Sequence, residues 1–247
     1  MSRALLLLLL LTAPIPASAG CGDVAARAVD WSRCTKSRLM LGSHDLSDST
    51  LTKAILTSTD FANAKFHGAK LIEAEVSYAR FSGADLAEAD LTKAVGWRTI
   101  YDGASLEKAS LHGAQMSRAV FKKARMGGSN LSKSEMNRSD FTGADLTGAD
   151  MSRAELARVI LVGARVPGVN MSYSNLARAR LQGVDLAGAD LTGAYLLLTR
   201  LDGTDLRQAK GLKAEQLEHA CGTGKTKLPA GISAPSTWPC RDEDDDD

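Results

Sequence analysis

Large apolar residues recur in this chain at a spacing of five. Over residues 141–159 the sequence reads FTGADLTGADMSRAELARV, with Phe141, Leu146, Met151 and Leu156 five apart and Ala144, Ala149 and Ala154 each two positions before the next large residue. Neither the helical period of 3.6 nor the strand period of 2 produces this spacing. A strict short repeat points to a solenoid, in which each unit buries its apolar side only by stacking on its neighbours. From Leu41 to Leu206 the frame runs without an insertion, and Gly96 is its single gap. The position two before each large residue is mostly Ala, otherwise mostly Ser, Thr or Val.

The unit A-(D/N)-L-x-x stands in full at Ala84-Asp85-Leu86, Ala89-Asp90-Leu91, Ala144-Asp145-Leu146 and Ala189-Asp190-Leu191. On these residues about two thirds of the chain resembles the pentapeptide-repeat family. The resemblance implies an all-β solenoid: a right-handed, quadrilateral β-helix with one pentapeptide per side and about twenty residues per coil. The aromatic residues argue for four sides independently. Phe61, Phe81, Phe121 and Phe141 leave one vacancy at the twenty-residue interval, and Tyr101 fills it. Coils of twenty would pile these rings on one face at about 4.8 Å, whereas three-sided coils would scatter them. About eight coils give a rod on the order of 40 Å long with a filled core.

The ends read differently. Arg3, the apolar run 4–13, Pro14, Pro16 and Ala17-Ser18-Ala19 form a secretory signal peptide over residues 1–19, too short for a membrane span. Ser18-Ala19-Gly20-Cys21 partly resembles a lipobox, and a lipid anchor through Cys21 is the competing expectation. Acylating Cys21 would leave three cysteines, whereas cleavage before Gly20 leaves four to pair. Residues 20–40 are expected to be an amino-terminal cap closed by Cys21–Cys34, followed by the β-helix over 41–211; Trp31 and Cys34 already fall in the large and small frames, so an imperfect start of the rod there is the alternative. Residues 212–240 are expected to form a cap in which a short helix over 213–221 covers the last coil, pinned by Cys221–Cys240. Its ending, Thr226-Lys227-Leu228-Pro229 with Trp238-Pro239-Cys240, looks like that of many exported pentapeptide-repeat proteins. The acidic stretch 241–247 is expected to be a disordered tail, with weak calcium binding or an intramolecular contact with a basic surface as alternatives.

Charge and chemistry narrow the function. Without Arg3, Lys+Arg falls from 30 to 29 and equals the 29 Asp+Glu. His44, His67, His112 and His219 follow no metal-ligand spacing, and Gly222-Thr223-Gly224-Lys225-Thr226 lacks the first glycine of a phosphate loop, its place taken by His219. The aspartates of the repeat should face water with ordinary pKa values. No cofactor, metal or catalytic constellation is expected, so the chain is read as a non-enzymatic scaffold. Some cytosolic members of the family resemble B-form DNA in shape and charge and bind DNA gyrase, but that mimicry needs an acidic surface, and no nucleic-acid partner is expected here.

Two outward features carry binding expectations. Arg98, Arg118, Arg138, Arg158 and Arg178 recur at intervals of twenty, which in stacked coils makes a guanidinium ribbon roughly 20 Å long. Lys133 and Arg153 could widen it. Glu75, Glu135 and Glu155 on the same face are expected either to neutralise it as a salt-bridged wall, or to leave it free for a protein or an anionic polymer. Tyr78 and Trp97 add stacking surface at its amino-terminal end. Around Gly96 the frame predicts a bulge with Trp97 folded over the gap, or else an exposed aromatic platform. Tyr195, Leu197 and Leu198 make the last coil apolar outside as well as inside, so a homodimer through that coil is the alternative to coverage by the helix. A mainly structural envelope protein is the remaining alternative.

Overall fold

The computed structural model describes residues 20–240. The expected signal peptide and acidic tail lie outside the described residues. Parallel bridges join residues twenty apart, from Asp30↔Thr50 to Asp190↔Lys210, and each pentapeptide contributes one two-residue turn. Four turns per twenty-residue coil give the chain its four sides. Residues 26–210 make roughly nine coils.

The hydrogen bonds explain why a five-residue unit suffices. In the unit centred on Phe61, the Phe61 N–H donates to Arg80 O (2.7 Å) and the Asn63 N–H to Ser82 O (2.9 Å), both in the following coil. The Ala64 N–H closes the turn on Phe61 O (3.0 Å), and the Lys65 N–H reaches back to His44 O (2.9 Å). One backbone donor per unit is left over, at the first turn position. The Ala62 N–H is taken by Asp60 Oδ1 at 3.0 Å, and the same bond recurs at Asp85, Asp90, Asn130, Asp140, Asp145, Asp150, Asn170 and Asp190. The Asp or Asn of the repeat is therefore a turn cap that satisfies an otherwise orphaned amide.

Inside, the five rings stack as expected, with centroids 5.0, 5.1, 4.8 and 4.9 Å apart from Phe61 through Phe81, Tyr101 and Phe121 to Phe141. Phe66 meets the first two of them edge-on. Hydroxyls in the small slots bond to carbonyls of their own turn, as Ser129 does to Met126 O, or of the preceding coil, as Thr99 does to Val76 O. The Tyr101 hydroxyl is buried and has no partner among the described residues.

The ladder corrects several expectations. It starts at Asp30, inside the segment expected to be a separate cap. The first coil escapes the apolar frame because its inward slot holds Lys36, whose ammonium lies 4.2 Å from the Trp31 ring centroid and donates to Asp23 O. At Gly96 there is no bulge: the bridges Glu75↔Val95 and Val95↔Gln115 continue in register. The empty slot is closed from its neighbours, since a Cβ on Gly96 would come within 2.9 Å of Thr99 Oγ1, 3.1 Å of Val76 Cγ2 and 3.3 Å of Met116 Cε.

One bridge is missing from the regular series, between Arg165 and Asp185. Val184 occupies a small slot there, Ala164 beneath it is 8% exposed, and Gln182 Oε1 is buried without a partner. Val159 and Val169 fill equivalent small slots without loss of a bridge, so the parting is local to this pair of coils.

Both ends carry the expected disulfides, Cys21–Cys34 and Cys221–Cys240, with Cα–Cα distances of 5.4 and 5.3 Å. The single helix among the described residues, α1 (Ala214–Leu217), is only four residues long, shorter than the 213–221 expected. It ends early because the following chain joins the ladder: Cys221 O accepts from the Leu201 N–H (2.6 Å) and Lys227 O from the Leu206 N–H (2.8 Å). Gln216 Nε2 donates to Leu191 O and Ala194 O, and Trp238 Nε1 to Ala220 O. This cap supplies polar partners to the last coil's exposed edge. Leu197 and Leu198 are half-buried, while Tyr195 is exposed.

Candidate functional site: an arginine ridge

The five arginines occupy the second position of a turn, with φ of 53° at Arg98, 60° at Arg118, 61° at Arg138 and Arg158, and 57° at Arg178. They therefore project from a corner of the coil. The expected flat arginine wall is a ridge. Positive φ suits glycine and costs another residue about 1–2 kcal/mol. At the next corner along the coil the same position is mostly glycine (Gly83, Gly103, Gly143, Gly163, Gly183 and Gly203, with Asn63 and Lys123 among the exceptions), whereas the arginine corner has no glycine from Arg38 to Leu198. Five arginines in succession are thus held where the backbone would be easier to form with glycine.

Few carboxylates answer these charges. Among the described residues, Arg98, Arg118, Arg138 and Arg178 form no ion pair, and all four are exposed. The glutamates expected to neutralise them are engaged elsewhere or lie apart. Glu75 accepts from the Ser77 N–H (3.0 Å) and Glu155 from Asn175 Nδ2 (2.8 Å). They sit at bridge positions on the flat side, one turn residue away from the corner. Arg153 does not widen the ridge; its guanidinium lies 5.9 Å from the Tyr173 ring centroid on the preceding corner.

At the amino-terminal end the aromatic pair is assembled. Tyr78 occupies the arginine column itself, and Trp97 lies in the neighbouring turn column. Their ring planes are at 90° with centroids 5.1 Å apart, and the Arg98 guanidinium covers the indole at 4.5 Å. Both rings remain accessible, Tyr78 at 52% and Trp97 at 37%. The flat side beyond the ridge carries Arg80, Ile100, Val120, Asp140, Ile160 and Arg180, with Asp140 paired to Lys122 at 3.2 Å and Arg80 paired to Asp60. Sequence reasoning passed over this column, although its interval of twenty was readable.

Seven aspartates depart from the ordinary behaviour expected of the repeat carboxylates. Hydrogen bonds from the residue two positions on hold Asp30, Asp45, Asp145, Asp190 and Asp205 below the usual carboxylate range, with Arg207 responsible at Asp205. Asp60 is lowered first by Arg80. At Asp140 burial opposes the shift, but the bonds from Thr142 and Lys122 outweigh it.

The family model for pentapeptide repeats, eight copies, matches residues 45–76, 64–95, 102–138, 134–172 and 174–210, more than half of the chain. The chain belongs to the pentapeptide-repeat family. Among solved structures it is similar to HetL, a pentapeptide repeat protein involved in heterocyst differentiation regulation from the cyanobacterium Nostoc sp. strain PCC 7120. The identity is 30%, covering 83% of this chain and 91% of HetL, with a TM-score of 0.46. It is also similar to QnrB1, a plasmid-mediated fluoroquinolone resistance protein, at 16% identity over 72% of this chain and 91% of that one (TM-score 0.35). A third similar structure is a pentapeptide repeat protein from the Arabidopsis thaliana thylakoid lumen, at 23% identity over 55% and 86% (TM-score 0.22). No curated protein matches the chain. Pentapeptide-repeat proteins are typically non-catalytic. Among the described residues no helix is long and apolar enough to cross a membrane, and no group of side chains is arranged to hold a metal ion. The two disulfides of this pentapeptide-repeat protein fit an oxidising compartment.

Proposed function

We infer that this pentapeptide-repeat protein is an exported, non-enzymatic scaffold whose arginine ridge binds an anionic partner. The observation that carries the reading is the run of five arginines at left-handed turn positions, four of them without an ion pair among the described residues. Like charges stacked at about 4.8 Å repel one another, so the arrangement is costly to the isolated protein. An anionic ligand removes that cost and gains charge-assisted bonds to the guanidinium forks. Export is supported by the leader-like residues 1–19 and by the paired cysteines.

Retention on heparin and on immobilised lipopolysaccharide at low salt tests the reading. The native protein should be retained and should elute as salt rises, whereas Arg118→Glu with Arg138→Glu should flow through. Passage of the native protein through both matrices at low salt would overturn it.

A further inference from the structure

Resting on that reading, we propose that the partner is a linear acidic polysaccharide lying along the ridge, with a sugar ring seated on the Tyr78/Trp97 step. The ridge is a single line of charge. Beside the arginines run Ser117, Asn137, Ala157 and Ala177, too small to anchor a partner. A protein interface needs a desolvated apolar or aromatic centre ringed by polar groups. Among the described residues, Tyr78 and Trp97 form a touching pair of exposed rings at the amino-terminal end of the ridge, whereas at its other end Tyr195, in the bridge column beside Arg178, is a lone exposed ring. A charged line with an aromatic terminus suits a chain of sugars, whose acid groups meet guanidiniums and whose ring C–H faces pack on aromatic rings.

The pitch agrees. A sugar residue in an extended polysaccharide advances by nearly the rise of one coil, about 4.8 Å. A polymer acidic at every residue or every second residue can therefore place anions opposite successive or alternate arginines without bending. The step is braced as well as exposed: the Trp97 backbone N–H donates to Ser77 Oγ at 3.1 Å, and the perpendicular rings form two walls, one of them backed by Arg98.

Two soluble polymers separate charge from sugar: polygalacturonate, and poly-L-aspartate as a carboxylate polymer with no sugar face. Affinity of the full chain for each is measured by affinity electrophoresis across a salt series. The native protein should bind polygalacturonate more tightly than poly-L-aspartate at equal carboxylate concentration. Arg118→Glu with Arg138→Glu should abolish both. Trp97→Leu, which keeps an apolar cover, and Tyr78→Ala should each weaken polygalacturonate about fivefold and leave poly-L-aspartate within about twofold. Equal or tighter binding of poly-L-aspartate, or aromatic variants that affect the two polymers alike, would overturn the glycan assignment while the arginine ridge stands. Binding of neither polymer would remove both.

Discussion

Replacing Arg118 and Arg138 by glycine separates a binding ridge from a structural one. Both residues sit at φ near 60° and form no ion pair among the described residues. Relief of the left-handed conformation should return about 1–2 kcal/mol per site. Glycine's greater freedom in the unfolded chain takes back roughly 0.5–1 kcal/mol. Loss of repulsion from the flanking guanidiniums adds a few tenths of a kcal/mol at an exposed site. The net expectation for each change is between about 0 and +2 kcal/mol of stabilisation, with heparin retention lost or sharply reduced. Urea denaturation followed by circular dichroism, at one fixed salt concentration, measures the first quantity, and elution salt measures the second. If Arg138→Gly lowered stability by more than about 1 kcal/mol, the arginines would be holding the coil together and the inference from backbone cost would fail.

Tyr101→Phe should stabilise the protein by about 1–2 kcal/mol, because it removes a buried hydroxyl without a partner and leaves the ring stack intact; a lower denaturation midpoint would show that the hydroxyl has a partner. Burial also raises the Tyr101 pKa well above the ordinary tyrosine value, so its ultraviolet absorbance should not titrate while the fold persists in alkali. The aspartates with lowered pKa contribute stability above the unfolded value near 4 that is lost as pH falls through their folded values. The urea midpoint should therefore drop as pH falls below about 4, and Asp145→Asn with Asp190→Asn should flatten that drop while keeping the turn bond that Asn170 already makes. The amides of Gly163, Val166 and Asp185 have no partner across the coil boundary and should exchange hydrogen faster than those of Gly143, Leu146 and Arg165, which do; equal protection would refute the parting at Val184. Cys221→Ser with Cys240→Ser should cost about 2–4 kcal/mol and loosen the last coil first, seen as early exchange at Leu201 and Leu206.

The sequence by itself determined the frame, the coil length and the paired cysteines. These depend on features that repeat locally or at one fixed interval: a large residue every five, a large ring every twenty, and four cysteines near two ends. Three matters were decided only in three dimensions. Whether an outward residue sits on a side or at a corner depends on which of the five positions takes positive φ, and this turned an expected wall into a ridge at Arg98 through Arg178. Whether a carboxylate pairs with an arginine depends on how far each side chain reaches across neighbouring coils, so Glu75 and Glu155 face other partners although they share the interval of twenty. Whether the rod begins at Trp31, already in the frame, or only at Leu41 depended on the apolar slot held by Lys36, which its contact with Trp31 and the bond to Asp23 O make habitable. Periodicity is a property of the backbone path, whereas the pairing of charges belongs to side chains brought together from different coils.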